Sequence, residues 1–131
     1  MNKEIVYDIS KSEALIMELL WNENKGTGFV EIMSYLNEVE GKEWKKQTIN
    51  TFIKRLSEKG LIEAQQTGKN KMYYATITKP QYEKGHAKKF LKDFYNGSIN
   101  TFLSALTGGQ KIDKEFADEL RELIDNDERV D

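Results

Sequence analysis

Residues 46 to 55 hold the densest set of side chains able to do recognition chemistry. Lys46, Gln47, Thr48, Asn50, Thr51, Lys54 and Arg55 combine cations with short hydrogen-bonding groups, and the run contains no carboxylate. Ile49, Phe52, Ile53 and Leu56 recur at the spacing of one helical face. The pattern therefore predicts a helix from about Lys46 to Lys59, apolar side inward and polar side outward. An ordinary solvated helix alternates Glu with Lys, and this one does not. The major groove of B-DNA admits one α-helix, and reading it takes donors and acceptors of the right length with cations beside them. Gln47, Thr48, Asn50 and Thr51 suit base edges, whereas Lys46, Lys54 and Arg55 suit phosphates, with Arg55 also long enough to reach a guanine. The bland alternative is an amphipathic helix with a solvated face. A second cationic group, Lys69, Asn70 and Lys71, would contact the flanking backbone or minor groove if it sat on a turn beside that helix.

Other chemistry has little to stand on. Cysteine is absent and there is one histidine, His86, which closes thiolate sites and any two-histidine zinc site within one chain. Counting alone leaves a Ser-His-Asp arrangement open. His86 lies between Tyr82 and Phe90 at helical spacing, so a packed or interface histidine is expected. Gly26-Thr27-Gly28 lacks the Gly-Lys-Ser/Thr of a phosphate loop. Asp125-Asn126-Asp127-Glu128 lacks the glycine of a calcium loop and reads as an acidic tail, and Glu115 with Glu119 lies on a solvated helical face. No catalytic constellation, metal site or cofactor is expected, and the chain is not expected to be an enzyme.

The elements that must position these residues can be read from the whole 131-residue chain. It is 38% hydrophobic and 32% charged, enough for a buried core. No apolar run is long enough to span a membrane and the start resembles no signal peptide, which points to a cytoplasmic protein. The net charge of −2 conceals an asymmetry: residues 1–40 carry −5, residues 41–92 carry +9 and residues 93–131 carry −6. Phosphate binding needs such a local excess of positive charge, not a basic pI.

Ser10-Lys11-Ser12-Glu13 matches a capping box and starts a first helix, apolar at Ala14 to Met17 and Leu19 to Trp21 except for Glu18, too apolar for a single partner surface. Gly26-Thr27-Gly28 breaks the chain before a second helix, Phe29 to about Val39, stopped by Gly41. Glu43-Trp44 is read as a very short strand before the polar third helix, which Gly60 closes. Leu61–Gln66 and Lys71–Ile77, joined by Thr67-Gly68-Lys69-Asn70, read as a hairpin with a cationic tip. Its adjacent Tyr73 and Tyr74 must face opposite ways.

Three helices and a hairpin in this order make a winged helix-turn-helix, assigned to residues 1–78. Residues 79–131 form a helical domain. Pro80 lies in the first turn of a helix carrying Tyr82, His86, Phe90, Leu91 and Phe94 on one face. Ile99, Phe102, Leu103 and Leu106 mark a shorter helix closed by Gly108-Gly109. Asp113 caps a last helix with the stripe Phe116, Leu120, Leu123 and Ile124. These three helices are too few to enclose a core. Their stripes, Tyr82 and Phe90 to Ile124, are assigned to dimerisation with a second copy of the chain. The fold class is thus mainly α with a small β-hairpin.

Several pieces resemble the penicillinase and methicillin-resistance repressors (BlaI/MecI type), to which the copper-transport repressors are related. They are Ile9-Ser10 with Glu13, Met17 and Leu20-Trp21; Thr48-Ile49, Thr51, Ile53 and Arg55-Leu56; Lys59-Gly60-Leu61-Ile62; Tyr73-Tyr74; and the tail from Tyr95-Asn96-Gly97 to Glu119-Leu120-Arg121-Glu122-Leu123-Ile124. The resemblance implies a homodimeric transcriptional repressor that binds a palindromic double-stranded DNA operator. It also implies release through a sensor-linked protease that cuts within the C-terminal helices. Relatives commonly have Ser where this chain has Lys45, and a basic residue at the place of Asn50. Relatives that are cut break at an Asn-Phe step where this chain reads Ala105-Leu106, and the cysteine pairs of the copper-responsive branch are missing. The alternative from another class is a winged-helix protein-interaction module without specific DNA binding.

Overall fold

A computed structural model describes residues 4–23 and 25–128. The chain divides into two compact units, one through Ala87 and one from Lys88.

The first unit opens with α1 (Lys11–Asn22), whose start is the expected capping box. The Glu13 amide donates to the Ser10 hydroxyl at 3.1 Å, and the Ser10 amide donates to the Glu13 carboxylate at 2.7 Å. As its composition requires, α1 buries Ile16, Met17 and Leu20 fully and Leu15, Leu19 and Trp21 in part. The Gly26-Thr27-Gly28 break contains a strand that periodicity could not reveal: β1 (Thr27–Gly28) pairs antiparallel with residues of the later hairpin, Thr27 opposite Tyr73 and Gly28 opposite Met72. Helix α2 (Phe29–Ser34) then continues as a π-helical turn over Tyr35–Val39. That turn closes with the Glu40 amide donating to the Tyr35 carbonyl at 3.1 Å. The helical span matches the expected one, but its last turn is wider.

The short strand expected at Glu43-Trp44 is absent. Both backbone groups of Trp44 are taken by one side chain, Asn37, through Trp44 N–H to Oδ1 at 3.0 Å and Nδ2–H to the Trp44 carbonyl at 3.1 Å. A backbone bracketed in this way has nothing left to offer a sheet. Helix α3 follows (Lys46–Glu58), with Lys59 at its C-cap. Gly60 stands at φ 77°, a region costly for residues with a Cβ. There the chain turns back, with the Leu61 amide donating to Leu56 and the Gly60 amide to Ser57, each at 3.0 Å. Strands β2 (Ile62–Thr67) and β3 (Asn70–Ala75) form the hairpin on the expected turn, with Gly68-Lys69 at its centre and Thr67 and Asn70 paired as the last residues of the two strands. With β1 they make a three-stranded antiparallel sheet in the order β1-β3-β2. The core, which includes Ile16, Met17, Ile32, Leu36, Ile49, Leu56 and Leu61, lies between the helices and this sheet. Each such side chain contributes about 1.5–3 kcal/mol on burial.

Helix α4 (Lys79–Tyr95) starts in the first unit. Thr78 and Gln81 form a second capping box, the Gln81 amide donating to the Thr78 hydroxyl at 3.2 Å and the Thr78 amide to the Gln81 carboxamide at 2.8 Å. Tyr82 corrects an expectation. Assigned to the dimerisation stripe, it is only 7% exposed within the first unit's core, its ring 6.0 Å from Tyr7 and 5.6 Å from Trp21. Burial raises its phenol pKa against the opposing hydrogen bond from the Ile9 backbone.

The second unit holds the rest of α4 with α5 (Ile99–Thr107) and α6 (Lys114–Glu128). Ser98 caps α5 through the Thr101 amide at 3.1 Å, and Asp113 caps α6 through the Phe116 amide at 2.8 Å. Phe90, Tyr95 and Phe102 meet ring to ring, the Tyr95–Phe102 pair nearly perpendicular at 5.4 Å. Residues 125 to 128, expected as an acidic tail, belong to α6. Not one described residue from Lys88 onward is fully buried. Phe94 is 69% exposed and Leu123 66%, with Phe90, Ile99 and Leu106 exposed as well. The side chain of Ile124 lies outside those described.

Candidate nucleic-acid interface

The candidate interface is built on α3, and what lies under the helix fixes what it presents. Ile49, Ile53 and Leu56 are buried. Phe52 packs against Trp44, their ring centroids 5.1 Å apart. With those side chains turned inward, 3.6-residue periodicity turns Lys46, Gln47, Asn50, Thr51, Lys54 and Arg55 out to solvent, and all six are exposed. Thr48 is half-buried. The Thr51 hydroxyl donates back to the Gln47 carbonyl at 2.9 Å, which leaves its oxygen as an acceptor for whatever approaches.

Lys46 and Asn50 line an open groove together with Phe29, Val30 and Met33 of α2 and Lys71 and Tyr73 of β3. The structure thus brings two α3 candidates and one hairpin candidate to a single concavity, a juxtaposition with no signal in the sequence. Val30 stands at its edge, 79% exposed. The Lys71 ammonium lies 5.8 Å from the centroid of the Tyr73 ring, whose body is buried, so the cation is supported from below. Lys69 and Asn70 project at the hairpin tip, both exposed. Tyr74 takes the other face of β3 and covers Gly26, where a Cβ would come within 2.5 Å of its ring.

The end of α3 is tied down by a group that composition did not single out. Glu13 of α1 is nearly fully buried, and its Oε1 accepts from the Lys59 ammonium at 2.9 Å. Burial on its own raises the Glu13 pKa. The Ser10 amide and Lys59 more than offset this and hold the carboxyl below its ordinary value. A capping-box Glu on an otherwise apolar helix is the one sequence signal that could have pointed here.

A protein-family model described as penicillinase repressor matches residues 9–126. The methicillin resistance regulatory protein MecI of Staphylococcus aureus (strain N315) is 24% identical over 119 residues, covering 90% of this chain and 94% of that protein. The penicillinase repressor of Bacillus licheniformis is 25% identical over 117 residues, 89% of each chain. Among solved structures, the DNA binding domain of the repressor BlaI superposes with a TM-score of 0.51 at 24% identity, over 58% of this chain and 89% of that one. That likeness shows a shared winged-helix fold.

Proposed function

The chain belongs to the penicillinase repressor family, as a DNA-binding repressor and not an enzyme, and from that premise we propose that two copies grip a palindromic operator. Each copy lays α3 in the major groove and its hairpin tip on the flanking backbone. Gln47, Thr48, Asn50 and Thr51 face base edges. Lys46, Lys54, Lys69, Asn70 and Lys71 hold phosphates or the groove edge, and Arg55 serves either phosphate or guanine. The observation that carries this reading is the exposed polar face of α3 over residues 46–55, which holds no carboxylate, beside a cationic hairpin tip. The second unit makes the dimer. Its stripes, assigned to Phe90, Leu91, Phe94, Ile99, Phe102, Leu103, Leu106, Phe116, Leu120, Leu123 and Ile124, hold no described side chain that is fully buried within one chain, and a second copy covers them most simply. The protein works in the cytoplasm and needs no cofactor or metal. Repression ends when a sensor-linked protease cuts the second unit.

Selection of duplexes from a random pool by the pure protein tests the reading. The enriched sites should be inverted repeats with centres one helical turn, or a multiple of it, apart. Binding should fall steeply with salt, because neutralised phosphates release counterions. Enrichment of nothing, or of sequences without symmetry, would contradict it.

A further inference from the structure

One segment of the first unit touches both α3 and the base of α4. The extended residues Val6 to Asp8 run past the C-terminal end of α3, where the Val6 amide donates to the Lys59 carbonyl at 2.9 Å. The Lys59 ammonium reaches back to the Asp8 carbonyl at 2.6 Å while it pairs with Glu13. On its other side the same segment is held by α4. Tyr7 lies against the Tyr82 ring, and its carbonyl meets His86 Nδ1 at 2.8 Å. A carbonyl only accepts, so Nδ1 carries the hydrogen. His86 in turn stacks on Tyr82 at 5.7 Å and 13°. Gly85 sits under Tyr7 so closely that a Cβ there would lie 2.2 Å from the ring.

We propose that this strap clamps the recognition helix to the base of α4, and that Lys59, Tyr7 and His86 are positioning residues for half-site spacing. The inference rests on the dimeric operator reading above. In such a dimer the two α3 helices keep a fixed separation only if each is held firmly to the helix that leads out of its own first unit. Each base pair added between half-sites moves one of them by roughly 3.4 Å and about a tenth of a turn. A firm clamp turns that displacement into lost contacts. A slack one absorbs it, because the avidity of two linked sites depends on how well their geometry fits the span.

The test uses the full chain and its His86→Ala, Lys59→Met and Lys59→Arg forms, with the selected duplex and versions whose centre is one or two base pairs longer. Wild type should lose about tenfold or more with the longer centres, while His86→Ala and Lys59→Met should lose only about threefold. Lys59→Arg, which keeps the cation, should restore the sharp profile. The salt slope should not change in any of them, since neither position is assigned to phosphate. His86 is exposed, so its truncation keeps the test decisive if Lys59→Met does not fold. A variant that melts earlier yet keeps the wild-type spacing profile would overturn the clamp. So would a salt slope lowered by about one unit in Lys59→Met, which marks a phosphate contact. Failure of wild type to bind any selected duplex would instead remove the operator reading itself.

Discussion

Arg55 and Lys69 are both exposed cations, yet they should fail differently. Arg55 lies on the α3 face and can meet a base edge, so Arg55→Ala should cost roughly 1–3 kcal/mol at the selected site and relax preference at one base position. Lys69 lies at the hairpin tip, and Lys69→Ala should weaken all sequences about equally and lower the salt slope by about one unit. Filter binding or fluorescence anisotropy at several salt concentrations separates the two. If Arg55→Ala and Thr51→Ala both leave affinity unchanged, α3 does not read the operator. Glu13 affects the fold and not the contact. Its carboxyl titrates below its ordinary value in the folded chain, so its contribution is fully present above the ordinary Glu range and is lost as pH falls through the lowered value. Glu13→Gln should destabilise by roughly 1–3 kcal/mol at neutral pH, because it leaves Lys59 without its charge partner. The gap to wild type in urea melts should narrow as the solution is acidified.

At the scale of elements, local signals were legible and distant pairings were not. The capping boxes and glycine stops are encoded within a few residues, so the start of α1, the end of α3 and the end of α5 follow from short motifs. The polar candidates on α3 were readable for the same reason, since periodicity alone decides which side of a buried helix is wet. Strand β1 was not, because two residues acquire strand geometry only by pairing with Tyr73 and Met72, more than forty positions away. The false strand at Trp44 has the matching cause, an Asn37 side chain standing in for a neighbouring strand. Tyr82 shares its helical face with Phe90 and Phe94, and nothing in that spacing says where along α4 the face changes partner. Gly85 offers a test at this scale. Alanine is better than glycine inside a helix by about 1 kcal/mol, but here its methyl would collide with the Tyr7 ring. Overpacking of this kind costs roughly 1–3 kcal/mol, so Gly85→Ala should lower the thermal midpoint.

For the whole molecule, the decisive feature is a second unit in which no described residue is fully buried within one chain and Phe90, Phe94, Ile99, Leu106 and Leu123 stand exposed. Sedimentation at micromolar concentration should therefore report a dimer, and a monomer would defeat the assignment. A protease site introduced at Gly108-Gly109 and cut to completion should dissociate the dimer, since the cut parts the Phe116 to Ile124 stripe from Phe90 and Phe94. Retention of both dimer and operator affinity after cleavage would sink release by proteolysis. Reading of DNA by two linked recognition helices is tested most directly by titrating the full-length protein against the selected palindrome and against a duplex holding one half-site, across a range of salt. The palindrome should bind on the order of 10²-fold tighter or more, and both affinities should fall steeply as salt rises. Equal affinity for the two duplexes, or binding indifferent to salt, would contradict it.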